Sequence, residues 1–171
     1  MWEYKGRSRP SFATKPGPGQ ESVWDYPRPP VLVPDTRPVV VTRDATVIAE
    51  SNRCFRVLET ASPPAFYIPP EDIDVETLQR AAGASFCEWK GVAQYWELAS
   101  AQSRAGAIGW SYSRPTATFA KIAGYFSFYP GRVECRVDGE RVRPQPGEFY
   151  GGWITDDVVG PFKGDPGTGH W

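Results

Sequence analysis

The chain contains a single histidine, a single methionine and only three cysteines, Cys54, Cys87 and Cys135. An odd cysteine count with no Cys-x-x-Cys pair argues against a disulfide framework. It also argues against a structural zinc site, which needs four closely arranged ligands. A reducing, cytoplasmic setting is the simplest reading. A basic excess is missing too: the net charge is -1 and the pI about 5.9, so nothing would hold a phosphate backbone and no nucleic-acid partner is expected. No apolar run approaches the roughly 18 residues needed to span a bilayer, so no membrane is expected either. The opening residues Met1-Trp2-Glu3-Tyr4-Lys5 lack the apolar stretch of a signal peptide. The phosphate-binding P-loop, the Rossmann fingerprint and the serine nucleophile elbow are all absent, and no cofactor or metal is expected.

Aromatic residues and turn formers are plentiful. Aromatics make up 14% of the chain, with seven tryptophans, and 17 glycines and 18 prolines demand many turns and short elements. That composition favours an all-β architecture over a helical bundle. The 171 residues suit one domain, which can bury roughly two-thirds of its unfolded surface. Residues 1–22, rich in Pro, Gly, Ser and charge, read as a flexible arm, and residues 23–171 as a single β domain. Val23 to Pro30 places Trp24 and Tyr26 in an extended, proline-stiffened stretch. It is expected to lie across the domain surface or across a partner subunit, the second of which would make a homo-oligomer through the arm.

Strand signals follow in quick succession. Val39–Arg43 and Thr46–Glu50 flank a turn at Asp44-Ala45 and read as a hairpin. Cys54–Glu59 is a third strand, whose period of two puts Phe55, Val57 and Glu59 on one face and Cys54, Arg56 and Leu58 on the other. Ala65–Ile68 is a short strand closed by prolines. Glu71–Gln79 is the best helical segment, one or two turns long. A strand at Phe86–Trp89 turns at Lys90-Gly91 into Val92–Ala99; a loop and a strand at Ala107–Tyr112 come next. Thr118–Ala123 reads as one helical turn before the strand Tyr125–Tyr129. Arg132–Val137 alternates with Val133, Cys135 and Val137 inward, and Asp138-Gly139 fits a two-residue hairpin turn. Residues 144–171 have almost no periodicity. They carry Phe149, Tyr150, Trp153, Phe162 and Trp171, which is too much apolar area to leave in water, so an ordered wrap is expected.

The densest chemistry lies at Cys87-Glu88-Trp89-Lys90-Gly91, followed by Tyr95-Trp96. An ammonium beside a flat aromatic, with a glycine freeing the backbone, can form a recognition site for an anion; it can equally be a well-packed hairpin with Lys90 in water. The aromatic-Lys-Gly pattern recurs at Phe162-Lys163-Gly164, but inside the non-periodic wrap, so no internal repeat is inferred. Arg56 and Glu59, if buried, each need a partner, either in an ion pair that locks the sheet or in a site. Cys87 reads either as a small buried hydrophobe or as a nucleophile, and the latter needs His170 to return to its hairpin. Asp72-x-Asp74 resembles a metal-holding carboxylate pair, although acids near a helix start are the plainer reading, and Asp156-Asp157 point apart if extended.

Several of these segments together resemble the family catalogued as domain of unknown function 427. They are Arg56–Thr60, Pro63-Pro64 through Tyr67-Ile68-Pro69, Cys87 through Trp96, Trp110-Ser111-Tyr112, Phe128-Tyr129-Pro130, Val137–Glu140 and the Phe149–Trp171 tail. The resemblance spans about residues 22–171. It implies a small antiparallel β-tent-like domain of two sheets meeting at an angle, a fold shared with zinc-containing proteins and with binders that hold small ligands in aromatic cages. The missing Cys-x-x-Cys pairs mean that metal does not carry over. The family also bears a nucleotidyltransferase-like name, for which these residues supply neither phosphate loop nor metal carboxylates, and fold likeness does not transfer function. The leading expectation is a small-molecule-binding module for a polar or anionic ligand, with candidate site residues Arg56, Glu59, Tyr67, Cys87, Trp89, Lys90, Trp110 and Tyr129, and with Tyr95 as a further wall. The alternatives are an enzyme on a small substrate, with Glu59 or Cys87 as base or nucleophile and Arg56 or Lys90 as stabiliser, and an oligomerisation domain.

Overall fold

The computed structural model describes residues 2–100 and 106–171. The loop expected after Ala99 falls largely outside the described residues. The chain is mostly β. In order, the first strands are β1 (Glu21–Ser22), β2 (Val31–Asp35), β3 (Val39–Arg43), β4 (Thr46–Ser51), β5 (Cys54–Leu58) and β6 (Ala65–Tyr67). A long hairpin of β7 (Leu78–Cys87) and β8 (Gly91–Leu98) leads to β9 (Gly109–Ser111) and β10 (Phe126–Phe128). Last come β11 (Glu134–Val137), β12 (Glu140–Arg141), β13 (Arg143–Pro144), β14 (Trp153–Ile154) and β15 (Val158–Val159). Among the described residues, helical structure is confined to short 3-10 segments.

Two sheets organise the fold. The smaller has the order β12-β11-β3-β4 and is antiparallel throughout. Its two hairpin turns are the ones expected. Asp44 and Ala45 have φ of 48° and 66°, and Asp138 and Gly139 have 50° and 80°, the left-handed pair that a two-residue turn between twisted strands requires. The larger sheet is built from β2-β5-β6 and from β10-β9-β8-β7. Ile68 and Phe126 join the two halves by exchanging backbone hydrogen bonds of 2.8 and 2.9 Å. Of the two short ladders, β13-β14 is antiparallel and β1-β15 is parallel.

Side-chain alternation gives the larger sheet two buried faces. Phe66, Ile68, Phe126 and Phe128 meet Val39, Val41, Cys135 and Val137 of the smaller sheet around Trp153 in the main core. Trp153 is fully buried, stacks on Phe66 at 4.8 Å and donates its indole N–H to the Phe128 carbonyl at 2.9 Å. Burying rings of this size stabilises by roughly 4–6 kcal/mol each before ordering costs. The opposite face carries a second cluster, Val57, Tyr67, Ala93, Trp110, Tyr112, Phe119 and Ile122. A third lies under the chain ends. There Trp24 packs at 5.1–5.2 Å from the rings of Tyr4, Phe12 and Trp171.

Several segments depart from the expectations. Glu71–Gln79 is not a helix of one or two turns. It forms two 3-10 segments, Pro70–Asp72 and Val75–Thr77, and then enters β7 at Leu78. The edge of β4 captures the backbone between them, since Ile73 bridges Ala49 and the Asp74 N–H donates to the Ile48 carbonyl at 2.8 Å. Consequently β7 starts well before Phe86 and ends at Cys87, leaving Trp89 in the turn. Of the wrap aromatics, Phe149 stays 70% exposed, lining the cavity beside Tyr150, whereas Trp153 is fully buried. Residues 2–22, read as a flexible arm, lie against the domain: Thr14 N–H donates to the Gly160 carbonyl at 2.8 Å, and Arg9 pairs with Asp25. Trp24 and Tyr26 are buried within the chain's own third cluster.

Candidate functional site

The β7-β8 hairpin closes with Cys87 opposite Gly91, whose φ of +99° is the left-handed conformation that favours glycine. Thr116 fastens the turn from outside. Its hydroxyl donates to the Trp89 carbonyl at 2.6 Å and its N–H to the Lys90 carbonyl at 3.2 Å. With its backbone held there, Lys90 tucks its side chain under the rings of Tyr112 and Phe119, with Nζ 5.9 and 5.8 Å from their centroids. Lys90 is only 9% exposed.

Lys90 enters a cavity of about 410 Å³ on the second face of the larger sheet, a volume suited to a small molecule. The period of two chooses the walls. From β5 come Val57 and the following Glu59, from β6 Ala65 and Tyr67, from β8 Ala93 and Tyr95, and from β9 Trp110. Trp110 donates to the Tyr67 hydroxyl at 3.1 Å and packs on Tyr129 at 4.7 Å; Tyr95 donates to Ser85 at 2.7 Å. The C-terminal wrap supplies a further wall with Tyr150, Gly151, Gly152 and Lys163. Gln145 clamps this wrap, accepting from the Gly152 N–H at 3.0 Å and donating to the Lys163 carbonyl at 2.7 Å. A Cβ at Gly151 would collide with the Trp110 ring, so the wall needs a residue without one.

Seven of the eight candidate residues, Glu59, Tyr67, Cys87, Trp89, Lys90, Trp110 and Tyr129, line this one cavity. Arg56 does not. Alternation along β5 sends it to the other face, where Nη1 and Nη2 donate to Glu21 at 3.2 Å each and Nε lies 3.1 Å from Asp35 Oδ2. Glu59 pairs with Arg28 at 3.1 Å. His170 lies beside Glu3 at 3.4 Å, more than half exposed, and is not part of the cavity wall, so no Cys87–His170 pair forms. Asp72 accepts from Arg53 and Ser51, and Asp74 caps the Glu76 N–H. Among the described residues no cluster of three His, Cys, Asp or Glu side chains is placed to hold a metal ion.

Sequence reasoning missed Lys163, Tyr112, Glu88, Gln145 and Trp2 as cavity residues. Lys163 left a signal, its repeat of the aromatic-Lys-Gly pattern. The two copies are not a structural repeat, yet they bring their lysines to one cavity from a hairpin and from a wrap.

Charge in the cavity follows from burial and neighbours. Burial pushes the Tyr67 and Tyr112 hydroxyls well above their ordinary value and Tyr129 up to about 12, so all three are neutral donors at physiological pH. Burial pulls Lys90 down, but Tyr67, Cys87 and Glu59 together carry it above the usual lysine value, so it is an ammonium. Burial, reinforced by Arg28, lowers Lys163 to about 8. Its ammonium donates to the carbonyls of Gly169 and Trp171 at 3.1 Å each.

An all-β domain with a tyrosine- and tryptophan-walled cavity, two lysines in its wall and neutral hydroxyls around them is the class of protein that this fold and site define. Over residues 31–141 the chain matches the model of the family described as domain of unknown function DUF427, and it belongs to that family. A search of curated proteins returns no match. The matched stretch holds Lys90 and the sheet walls of the cavity, whereas Lys163, Tyr150 and Trp2 lie outside it. No helix among the described residues is long and apolar enough to cross a membrane.

Proposed function

We propose that the protein is a binding module for a small anionic ligand seated in this cavity, with Lys90 as the charge that holds it. The observation that carries the reading is the state of Lys90. It is 9% exposed, and among the described residues no carboxylate lies within 4.0 Å of its ammonium. Glu59, the carboxylate acting on it from farther off, is already engaged by Arg28. Tyr67 faces Lys90 as a neutral hydroxyl and not as a paired anion. A buried cation without a paired anion is costly, and an anionic ligand supplies what is missing. The aromatic walls add a flat contact surface, and the tyrosine hydroxyls add orientation.

Calorimetric titration with charged and uncharged partners of equal shape tests this: benzoate against benzamide, and indole-3-acetate against indole-3-acetamide. The anion of a pair is expected to bind more tightly than the amide. Lys90→Met should remove roughly tenfold or more of the anion's affinity and leave the amide's unchanged, the loss typical of a charge-assisted contact. Anions that bind no better than their amides, or a Lys90→Met variant that folds and binds them as wild type does, would refute the reading.

A further inference from the structure

One wall of the cavity comes from the far end of the chain. Trp2 lines it, and its indole is held by charge: Lys163 Nζ lies 3.8 Å and Arg28 Cζ 4.3 Å from the ring centroid, and the indole N–H donates to Glu88 Oε1 at 3.1 Å. Two cations over one ring form a strong aromatic seat. The seat is also overcharged. Lys163 and Lys90 line the cavity and Arg28 stands against the Trp2 ring, facing two lining carboxylates, Glu59 and Glu88, and Arg28 is one of the groups that depress the Lys163 ammonium. A neutral indole offers its ring face to Arg28 and Lys163 and cancels none of the excess charge.

The indole is held by its two cations and Glu88, but the backbone beside it has few ties. These are one bond from the Glu3 N–H to the His170 carbonyl at 3.2 Å, the half-exposed Glu3–His170 pair, and a bond from Arg28 to the Tyr4 carbonyl at 3.0 Å. The next anchor is Tyr4, edge-on to Trp24 at 5.2 Å. Trp2 belongs to no strand and to no core cluster, so turning the indole out uncovers Arg28 and Lys163 and leaves the sheets in place.

We infer that the Trp2 indole occupies the seat of the ligand's own ring, so that the ligand is an aromatic anion and Trp2 competes with it. This rests on the reading of Lys90 as the anion's anchor. The ligand is then a planar ring bearing a carboxylate or phosphate on a short link, with the ring between Arg28, Lys163 and Glu88 and the anion reaching Lys90. Displacement of Trp2 opens the seat, and the intramolecular ring sets the concentration at which ligand enters.

The probes are indole-3-acetate, uncharged indole and ringless acetate, titrated into the full chain and its Trp2→Ala, Trp2→Phe and Lys90→Met variants. Trp2→Ala should bind indole-3-acetate about tenfold more tightly than wild type, because the fraction of open seats rises. It should gain similarly for indole and gain nothing for acetate. Trp2→Phe, which keeps a ring in the seat, should stay near wild type. An unchanged or weakened affinity in Trp2→Ala would make Trp2 an ordinary wall and overturn the inference, whatever Lys90→Met does. A tenfold gain for indole in Trp2→Ala, together with an unaffected Lys90→Met, would support the aromatic seat while refuting the anion anchor, so the two failures are separable.

Discussion

Gly151→Ala should destabilise this protein by a steric clash at one wall of the cavity. Gly151 needs no left-handed backbone, so alanine meets no conformational penalty there, and the effect is steric. The added Cβ would stand 2.5 Å from Trp110 Cζ3 and 3.2 Å from Tyr129 Cδ1, where carbon atoms normally rest about 3.5–4.0 Å apart. Trp110 must move by about an ångström, but it is packed on Tyr129 at 4.7 Å and bonded to the buried Tyr67 hydroxyl at 3.1 Å. Overpacking costs about 1–3 kcal/mol, and losing the buried hydrogen bond about as much again. A total of about 2–6 kcal/mol corresponds to a Tm roughly 5–20 °C lower for a chain of this size. Urea unfolding with linear extrapolation measures it, with Gly131→Ala as control. There the Cβ would meet Pro144 at an ordinary 3.5 Å, and stability should stay within about 0.5 kcal/mol of wild type. A Gly151→Ala protein as stable as the control would mean that the wrap does not lie over Trp110.

Arg56→Met should cost about 2–3 kcal/mol in urea unfolding, because Glu21 and Asp35 lose a buried partner, although Arg37 still holds Asp35. Anion affinity in the same variant should be unchanged, since Arg56 is outside the cavity. Trp153→Ala should lose about 3–5 kcal/mol by cavity formation, and Trp153→Phe about 1–3 kcal/mol, mainly because the Phe128 carbonyl goes unsatisfied. Burial pushes the Asp35 carboxyl up, but Arg37 and then Arg56 outweigh it and hold it below the usual 3.8. Its contribution is therefore complete above that value and lost as pH falls through the lower folded one. Unfolding free energy should drop below about pH 4, and Asp35→Asn should flatten that slope.

Local chemistry was legible wherever it decided the outcome by itself. The turns at Asp44-Ala45 and Asp138-Gly139 and the alternation of Val133, Cys135 and Val137 depend on residues adjacent in sequence, and each stands as expected. Glu71–Gln79 shows the opposite case: its weak helical pattern lost to a neighbouring sheet edge that no local window contains. Phe149 and Trp153 had equal claim to the core by composition, and the path of the wrap chose Trp153.

The candidate site divides along the same line. Parity along β5 separates Glu59 from Arg56, a distinction present in the sequence; that Arg56 meets Glu21 and Asp35 there is a long-range fact. The residue types of the cavity, tyrosines, tryptophans and a lysine beside a glycine, were already written in the hairpin segment. Whether Lys90 faced water or the interior was not, because Thr116 and Phe119 settle it from a distant part of the chain. Lys163 and Trp2 join the cavity from opposite ends of the chain, 161 positions apart by their numbers (163 − 2). The sequence alone therefore determined the all-β class, its turns and the chemistry on offer, since these rest on backbone preference and period. Only the tertiary structure decided which charges share one cavity, since that depends on contacts whose partners lie far apart along the chain.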